Sequence, residues 1–334
     1  MLLTGGAGYI GSLTCVEVLK QGWDAVILDS FVNSKPSVIG RIGEVAGRTP
    51  TVVRGDVRDA VVLDEVLSRY KVDAVVHFAG LKAVGESVVD PVSYYDTNVA
   101  GSLCLIKAME RAQIASIVFS SSATVYQESD EQPVKESSAL GPCHPYGRTK
   151  LHVEEMLADW AEANPQRSVI ALRYFNPVGA HPSGLLGEDP SGVPNNLMPF
   201  VAQVAVGRRD ELVVFGDDYA THDGTGVRDY LHVQDLAWGH VKALEQCVKR
   251  PGVRVYNLGT GRGFSVLEVV GAFEAACGQP LRRRFGPRRA GDLPAYWADA
   301  ELARRELGWS AQLSLDQICE DVWRWQLSNP SGYP

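Results

Sequence analysis

The first thirty residues restrict the fold of this chain most, because they place a glycine-rich turn between two short apolar segments. Glycines recur at every third position of that turn: Gly5, Gly8 and Gly11. The pattern after the turn predicts a helix over residues 9–20, and residues 25–28 predict a second strand. Glycine allows a tight turn, close approach of the backbone to a bound group and close packing of the helix. The sequence therefore predicts a strand, turn, helix and strand that bind a dinucleotide.

Asp29 ends the second predicted strand and indicates which dinucleotide is bound. The N–H groups that begin the helix would face the pyrophosphate. A carboxylate at the end of the second strand can bind the ribose hydroxyls of an adenosine. It would repel a 2′-phosphate, so we expect NAD and not NADP. The alternative, an aspartate that only caps a loop, fits this complete pattern less well.

The first half of the chain continues to alternate between apolar segments and helices. Further strands are predicted at residues 51–53, 73–78, 116–119 and 168–173, and one long helix is predicted over residues 91–112. Nearly continuous apolar strands separated by helices are typical of a parallel sheet covered on both faces. Ligands of such folds bind beyond the carboxyl ends of the strands. Gly80, Ser122 and Tyr174 fall at those ends.

The second half of the chain differs in composition and in the length of its elements: long Gly- and Pro-rich loops and shorter elements follow Phe175. We therefore expect an α/β protein with a doubly wound, Rossmann-type parallel sheet and a smaller mixed α/β C-terminal lobe. Residues 1–175 would form the NAD-binding domain. Residues 176–334 would form mainly the substrate-binding lobe, with some later elements returning to the first sheet.

Tyr146 and Lys150 are the strongest candidates for catalysis. Pro145 opens a predicted helix, on which these two side chains lie one turn apart on one face. A free tyrosine has a pKa of ~10, and a nearby ammonium, helped by a cationic cofactor ring, lowers that pKa. Tyr146 would then accept a proton from a substrate hydroxyl. An exposed Tyr and Lys with no function is the alternative, and the rest of the chain argues against it.

Composition and charge exclude several classes of function. The net charge of −8 argues against general affinity for nucleic acid, so an anionic substrate needs a local basic cluster, such as residues 282–289. No apolar run approaches the ~20 residues of a membrane helix. The chain enters its first motif at once, without a signal peptide, and its six cysteines are scattered, which predicts reduced thiols in the cytoplasm. The seven histidines show no metal-ligand spacing, so no metal is expected.

Longer runs of sequence point to a family. The chain resembles the extended short-chain dehydrogenase/reductases and, within them, the UDP-glucose (UDP-galactose) 4-epimerases, over almost its full length. The runs that carry the resemblance are TGGAGYIG at residues 4–11, FAGLKAVGES at 78–87, RYFNPVGAHP at 173–182, PNNLMP at 194–199, DGTGVRDY at 223–230 and GDLPAYWAD at 291–299.

The resemblance implies a reversible epimerisation at C4 of UDP-glucose and UDP-galactose in galactose metabolism. Tyr146 would take the proton of the C4 hydroxyl, Ser122 would hydrogen-bond the same oxygen, and Lys150 would hold the nicotinamide ribose. The hydride would pass to NAD and return to the opposite face of a rotated 4-keto sugar. Because NAD is regenerated in each cycle, it is expected to stay bound.

The resemblance also implies which residues bind. For the cofactor these are Gly5, Gly8, Tyr9, Ile10, Gly11, Asp29, Asn33, Ser34, Asp56, Val57, Phe78, Ala79, Gly80, Leu81, Lys82, Asn98, Ser122, Tyr146, Lys150 and Phe175. For the UDP-sugar they are Lys82, Ser122, Thr124, Tyr146, Asn176, Asn196, Leu197, Phe215, Arg228, Arg289, Asp292 and Tyr296. Tyr296 would close the sugar end and disfavour N-acetylated sugars. Helices over residues 91–112 and 146–163 would form a homodimer.

Two other functions stay open at this stage. A sugar-nucleotide dehydratase resembles this chain, but it carries an Asp-Glu pair beside the catalytic Ser or Thr. Residues 123–125 are Ala, Thr and Val here, with no carboxylate. A dinucleotide-binding sensor without catalysis is the other alternative, and the presence of Ser122, Tyr146 and Lys150 argues against it.

Overall fold

The computed structural model describes residues 1–129, 131–190, 192, 194, 196–289 and 291–334. Asn195, which belongs to the PNNLMP run, lies outside the described residues. The strands of the described part are Leu2–Thr4 (β1), Val26–Asp29 (β2), Thr51–Arg54 (β3), Val75–His77 (β4), Ser116–Ser120 (β5), Ser168–Tyr174 (β6), Asn176–Val178 (β7), Leu212–Phe215 (β8), Val227–Arg228 (β9), Tyr230–His232 (β10), Gly252–Leu258 (β11), Phe264–Ser265 (β12), Arg283–Gly286 (β13) and Ala295–Tyr296 (β14).

Helices cover both faces of the main sheet and also pack around the small sheets of the second half. They are Tyr9–Lys20 (α1), Ser37–Ala46 (α2), Ala60–Arg69 (α3), Val84–Val89 (α4), Pro91–Tyr94 (α5), Gly101–Arg111 (α6), Pro145–Glu162 (α7), Leu197–Ala205 (α8), Val233–Cys247 (α9), Val266–Cys277 (α10), Glu301–Leu307 (α11) and Leu315–Ser328 (α12). No helix in the described ranges is long and apolar enough to cross a membrane.

The main sheet is parallel and confirms the predicted fold class. Its strand order is β11-β6-β5-β4-β1-β2-β3, so β1 lies between β2 and β4. The chain first builds outward through β2 and β3 and then crosses to β4 on the other side of β1. Ligands of open α/β sheets bind beyond the carboxyl ends of the strands at this reversal. The topology therefore places the expected ligand site at the loops that follow β1 and β4.

Hydrophobic burial on both faces explains why the strands are apolar throughout. One buried cluster contains Leu3 and Ile27 of the sheet with residues of α1 and α9, and a second contains Leu2 and Leu28 with residues of α3, α6 and α7. Alternate residues of each strand thus enter opposite cores. A sheet covered on both faces in this way has no polar face, which is the pattern read from the sequence.

The second half contributes both to the main sheet and to a separate cluster. β11 pairs with β6 along its whole length, from Gly252 opposite Ser168 to Leu258 opposite Tyr174. The other late strands form small sheets, with orders β10-β7, β12-β9-β14 and β13-β8. A third hydrophobic cluster is built by α8, α10 and α12 against β8 and β10. These small sheets carry the loops that surround the cavity described below.

The long helix expected over residues 91–112 is present at 91–111, but it is not α-helical throughout. The chain forms α5, then a π-helical segment at Tyr95–Ala100, and then α6. A π segment has a wider turn than an α-helix and is often found at functional sites. The Asn98 side chain of this segment is buried and accepts a hydrogen bond from the backbone of Leu81, in the loop after β4. The apolar pattern of the sequence fits both helix types and does not distinguish them.

Candidate active site

The glycine-rich turn forms a tightly closed cradle at the carboxyl end of β1. Gly5 has a φ of 68°, in the left-handed region, and a Cβ there would lie 2.7 Å from the backbone nitrogen of Ala79. A Cβ on Gly11 would lie 2.5 Å from the carbonyl oxygen of Gly5. Gly8 caps the N-terminus of α1 without a side-chain hydrogen bond. Ile10 lies in the first turn of that helix. The cradle therefore exposes backbone N–H groups at a helix start, as a pyrophosphate requires.

Asp29 holds the two loops that border this cradle. Its Oδ2 accepts a hydrogen bond from the backbone of Ala7 at 2.9 Å. Its Oδ1 accepts from the backbone of Phe31 and from the hydroxyl of Ser34, both at 2.9 Å. Asn33 lies exposed in the same loop. A buried carboxylate at the end of β2, next to the glycine turn, fits the ribose of a dinucleotide and gives a 2′-phosphate no cation among these contacts.

The loop after β4 is fastened to both the cradle and the π-helical segment. The backbone nitrogens of Phe78 and Ala79 donate to the carbonyl oxygen of Thr4, and Gly80 lies against the Asn98 side chain. Asn98 Oδ1 accepts from the backbone of Leu81 at 2.7 Å, and its Nδ2 donates to Thr149 Oγ1 at 3.0 Å. Asn98 therefore connects the predicted cofactor loop to α7, which carries Tyr146 and Lys150.

Helix α7 begins as the sequence predicts, but its cap is a histidine. His144 Nδ1 accepts a hydrogen bond from the backbone of Gly147 at 3.1 Å, and Pro145 occupies the first turn. The His144 ring also stacks on the Tyr146 ring, with centroids 6.0 Å apart and planes 5° apart. A Cβ on Gly147 would lie 2.5 Å from the Thr124 carbonyl oxygen. Glycine at position 147 thus lets the start of α7 approach the loop after β5.

Tyr146, Lys150 and Ser122 meet in one buried wall beside that loop. Tyr146 is 7% exposed, Lys150 5% and Ser122 7%. Lys150 Nζ donates to the carbonyl oxygen of Ser120 at 2.8 Å and lies 5.9 Å from the Tyr146 ring centroid. The Thr124 hydroxyl donates to Ser122 Oγ at 3.0 Å. The structure therefore brings together the three residues that the sequence singled out.

Burial is the largest cause of the pKa shifts in this wall. Burial raises the pKa of Tyr146, and a hydrogen bond with Ser122 only partly opposes that effect. Burial lowers the pKa of Lys150 to about 8, against the opposing charge of Glu154. Among the protein groups alone, burial therefore outweighs the opposing hydrogen bond, and the expected acidification depends on the cationic ring of a bound cofactor. The reason is that the cost of placing a phenolate in a dry site exceeds what the surrounding side chains return.

A cavity of about 320 Å³ opens among the small sheets of the second half. The predicted substrate-binding residues in its lining are Asn176, Asn196, Leu197, Phe215, Arg228, Arg289 and Asp292. The other five, which lie outside that lining, are Lys82, Ser122, Thr124, Tyr146 and Tyr296. The cavity is thus lined by three arginines, Arg209, Arg228 and Arg289, together with apolar side chains, as expected for a nucleotide diphosphate.

The two arginines of the cavity that were predicted to bind substrate, Arg228 and Arg289, are held differently. Arg228 is partly buried, donates to the carbonyl oxygens of Val227 and Leu293 at 2.9 Å, and lies 3.4 Å from Asp292. Arg289 is exposed, and its guanidinium lies 4.3 Å from the ring centroid of Phe215. Planar guanidinium groups present paired donors to phosphate oxygens. Both arginines have donors that a bound diphosphate can use.

Tyr296 connects the cavity to the buried wall. β14 and β9 pair with Tyr296 opposite Arg228. The Tyr296 hydroxyl donates to the carbonyl oxygen of Ala123 at 2.8 Å, directly after Ser122. Its ring lies 5.2 Å from the ring of Phe175, which is buried. Tyr296 thus joins the strand that carries Arg228 to the segment that carries Ser122.

The remaining predicted contacts lie at the edge of the dinucleotide cradle. Asp56 is paired with Arg58 at 2.6 Å, which lowers the pKa of that carboxyl, and Val57 is buried against Gly101. The Tyr9 hydroxyl donates to the carbonyl oxygen of Gly179 at 2.6 Å. Lys82 Nζ lies 2.9 Å from Glu188. Lys82 is thus occupied by a carboxylate that the sequence analysis did not include.

Several residues of this site were not predicted from the sequence. His144 and Gly147 flank Tyr146, and Thr149, placed between Tyr146 and Lys150, is fully buried against Asn98. The signal for Thr149 was present, since a residue three positions after Tyr146 faces the same side of a helix. Glu154 and Arg173 form a buried ion pair at 2.6 Å behind the wall. Among the described residues, no group of three or more His, Cys, Asp or Glu is placed to hold a metal.

Comparison with known proteins identifies the family. The sequence pattern of the NAD dependent epimerase/dehydratase family matches residues 1–259. The UDP-glucose 4-epimerase of Yersinia pestis is 57% identical over 335 residues, covering 100% of this chain and 99% of that protein.

Two crystal structures agree with this match. The UDP-glucose 4-epimerase of Bifidobacterium longum in complex with NAD+ and UDP is 49% identical, with a TM-score of 0.96 and 99% of each chain covered. The enzyme of Stenotrophomonas maltophila with bound NAD and formylated UDP-arabinopyranose is 51% identical, with a TM-score of 0.97 and 98% of each chain covered. This chain therefore belongs to the NAD dependent epimerase/dehydratase family and, within it, to the UDP-glucose 4-epimerases.

Proposed function

We propose that this chain interconverts UDP-galactose and UDP-glucose by inverting the configuration at C4, with NAD as its resident cofactor. The observation that carries the proposal is that Tyr296 pairs with Arg228 of the cavity and hydrogen-bonds Ala123, the neighbour of Ser122 in the buried wall. Relatives that align over the full chain bear the name UDP-glucose 4-epimerase. Two of their structures contain NAD with a uridine nucleotide or a modified UDP-sugar, which supports the same assignment.

The glycine cradle and its border residues hold the dinucleotide. The N–H groups at the start of α1 bind the pyrophosphate, and Asp29 binds the adenosine ribose. The loop of Phe78 to Lys82 and the Asn98 side chain line the nicotinamide half. A bound oxidised NAD would supply the hydride acceptor for C4, and its positive charge would favour a phenolate nearby. The close backbone packing of this cradle favours a cofactor that is retained through the cycle.

Tyr146 moves the proton. Its phenolic oxygen accepts the proton of the C4 hydroxyl and later returns it to the C4 oxygen of the epimer. Ser122 Oγ hydrogen-bonds the same substrate oxygen and fixes its orientation. Lys150, held by the Ser120 carbonyl oxygen at 2.8 Å, supplies an ammonium beside the phenol. Burial of all three side chains excludes water, which would compete for the proton and for the oxidised sugar.

The cavity holds the part of the substrate that does not react. Arg228 and Arg289 bind the diphosphate, and Asp292 accepts a hydrogen bond from the uridine ribose. Asn176, Asn196 and Leu197 contact the nucleotide and the sugar. Because the nucleotide is fixed at the far end, the oxidised sugar can rotate about its phosphate linkage and present its other face without leaving the site.

A direct test uses the purified protein without added cofactor. UDP-galactose is added, and the products are separated by chromatography. The proposal expects UDP-glucose to form catalytically until the two sugars reach equilibrium, with no NAD supplied. A product that has lost water would instead indicate a dehydratase. A protein that keeps its nucleotide and changes no substrate would indicate a sensor, and either result contradicts the proposal.

Tyr296 gives the proposed site its preference for sugars without an N-acetyl group at C2. Its ring and hydroxyl are fixed by Phe175 and Ala123, so it cannot move aside at low cost. We expect turnover of UDP-N-acetylglucosamine to be weak compared with UDP-glucose in the same assay. Nearly equal turnover of the two sugars would contradict this role of Tyr296.

We further propose a cytoplasmic homodimer. The six cysteines of the chain are free thiols in the structure, as suits a reducing compartment. Val88, Val89, Val92 and Leu103, on α4 to α6, are exposed apolar side chains that a second copy would cover. Sedimentation over a range of concentrations measures the assembly, and a monomer throughout would contradict it. The boundary at residue 175, between cofactor domain and substrate lobe, belongs to the same proposal.

A further inference from the structure

We propose that Glu154 and Arg173 form a positioning pair that sets the geometry of the catalytic wall and maintains the charge on Lys150. This inference rests on the proposed epimerase reaction. Neither residue belongs to the cofactor or substrate contacts above. Glu154 is 8% exposed and Arg173 4%. Both charges are thus withdrawn from water directly behind Lys150 and Ser122.

Helix α7 contacts the end of β5 at successive turns. Tyr146, Lys150 and Glu154 are each four residues apart and share one face of the helix. Lys150 Nζ donates to the carbonyl oxygen of Ser120, the hydroxyl of Ser121 donates to Glu154 Oε1, and Tyr146 lies against Ser122. The segment 120–122 is therefore fixed to the helix at Ser120 and Ser121, the two residues that directly precede the catalytic Ser122. Loss of the Glu154 contact would free the backbone that aims Ser122.

Arg173 allows this carboxylate to remain charged in the interior. Its Nε donates to both oxygens of Glu154 at 3.1 Å, and its Nη2 donates to Oε2 at 2.6 Å. The other face of the guanidinium packs on the Tyr126 ring, 4.9 Å from its centroid. A buried ion pair of this kind adds little stability over apolar residues of the same size, because both charges must be desolvated. Its polar contacts to Ser121 are better explained by positioning.

The charge of Glu154 also acts on Lys150. The titratable groups that face Lys150 are His77 of β4 and, on its own helix, Tyr146 and Glu154, while the Phe119 ring of β5 lies 4.8 Å from its Nζ. Burial lowers the pKa of Lys150 to about 8, and Glu154 opposes this shift. Removal of that carboxylate lowers the pKa further. The ammonium is then lost at a lower pH, and activity at alkaline pH falls with it.

The test measures kcat for UDP-galactose against pH in the holoenzyme, with the products separated directly so that no coupling enzyme limits the range. For Glu154→Gln we expect the alkaline limb of kcat to move down by about one pH unit, because one neighbouring charge is lost. We also expect kcat below that limb to fall about tenfold or more, since Ser122 is less well aimed. The matched control is Glu155→Gln, because Glu155 is exposed on the same helix. This control should keep the wild-type profile.

Two further variants separate charge from position. Glu154→Asp keeps the charge and shortens the side chain, so the alkaline limb should stay near its wild-type pH while kcat falls. Ser121→Ala removes one hydroxyl and leaves the ion pair, so it should give the same result. If Glu154→Gln does not fold, the neutral double variant Glu154→Gln/Arg173→Gln replaces it, and thermal unfolding checks its fold. The double variant should show the shifted limb.

The inference is overturned if Glu154→Gln, or the folded double variant, keeps the kcat and the alkaline limb of the wild type. It is also overturned if Glu155→Gln shifts the limb as much. A failure of the proposed function gives a different result, because the wild type itself would then form no UDP-glucose.

Discussion

The buried wall of Tyr146 and Lys150 and the open cavity around Arg228 and Arg289 both contain charged side chains, but they differ in how far those side chains are exposed to water. In the wall, every charge is withdrawn from water and held by a fixed partner, such as the Ser120 carbonyl oxygen for Lys150. In the cavity, Arg289 is exposed, and Asp292 is 39% exposed where it meets Arg228. The wall is built on α7 and β5, and the cavity on short strands and loops.

This difference shows how one chain separates chemistry from binding. A buried group gains large electrostatic effects from small displacements, so it needs rigid support. An exposed arginine interacts with phosphate through water and salt, so each contact is weaker but tolerates movement. We therefore expect changes in the wall to act on kcat and on pH dependence. Changes in the cavity should act on KM and on salt dependence.

The largest effect is expected for Tyr146→Phe. The ring and its packing on His144 remain, but the group that carries the proton is lost. We expect kcat to fall by at least about a thousandfold, within the range for removal of a positioned acid–base group. The cofactor should still co-purify, because the glycine cradle is unchanged. Steady-state kinetics with UDP-galactose and a nucleotide assay of the denatured protein measure both.

The control for this variant is Tyr95→Phe, a hydroxyl removed from a neighbouring element. Tyr95 belongs to the π-helical segment and packs near His152, with ring centroids 5.8 Å apart. It should keep close to wild-type kcat. A Tyr146→Phe variant with the same activity as this control would show that the wall is not where the proton moves.

A second effect concerns the pH dependence of stability. Burial lowers the pKa of His77 to about 3, and Thr4 and Ser102 hold its ring at 2.6 and 2.8 Å. The unfolded chain binds a proton at His77 near pH 6.5, and the folded chain does not. The contribution of neutral His77 to the free energy of unfolding is therefore complete above pH 6.5 and is lost as pH falls toward 3. Between pH 7 and pH 5 we expect a loss of about 2 kcal/mol from this group.

Denaturant unfolding at several pH values measures the effect. His77→Gln cannot titrate, so its free energy of unfolding should fall less between pH 7 and pH 5 than that of the wild type. His152→Gln, which removes an exposed histidine, should leave the wild-type slope unchanged. Equal slopes for His77→Gln and the wild type would show that the interior of the sheet does not keep this ring neutral.

The contrast between the wall and the cavity also appears in how much of each could be predicted from the sequence. The strands of the main sheet are visible because each is an apolar run that enters two cores, and the start of α7 is visible because Pro145 and the apolar pattern mark it. The two-residue strands β9, β12 and β14 have no such pattern, because only their tertiary partners define them.

The missed residues of the wall have the same cause. Glu154 and Arg173 are 19 positions apart, and nothing local in the sequence indicates that they meet. Nor could the sequence predict that burial would raise the pKa of Tyr146 against the hydrogen bond with Ser122. Periodicity reports which face of an element is buried. The polar partners found inside that face depend on the packing of several elements.

The smallest effect is expected in the cavity, for Arg228→Gln. Arg228 presents its guanidinium toward the proposed diphosphate while Leu293 and Asp292 hold it. We expect KM for UDP-galactose to rise about tenfold, the cost of one charge-assisted contact to phosphate, with kcat within about threefold of the wild type. The wild-type KM should itself rise as salt increases from ~20 mM to ~500 mM, and this rise should be smaller in Arg228→Gln.

Arg262→Gln is the control, because Arg262 is exposed in the same lobe, packs on Phe264 and lies outside the cavity lining. If Arg228→Gln lowered kcat by as large a factor as it raised KM, or if kcat of the wild type depended on salt, the cavity would take part in the chemistry and the separation from the wall would fail.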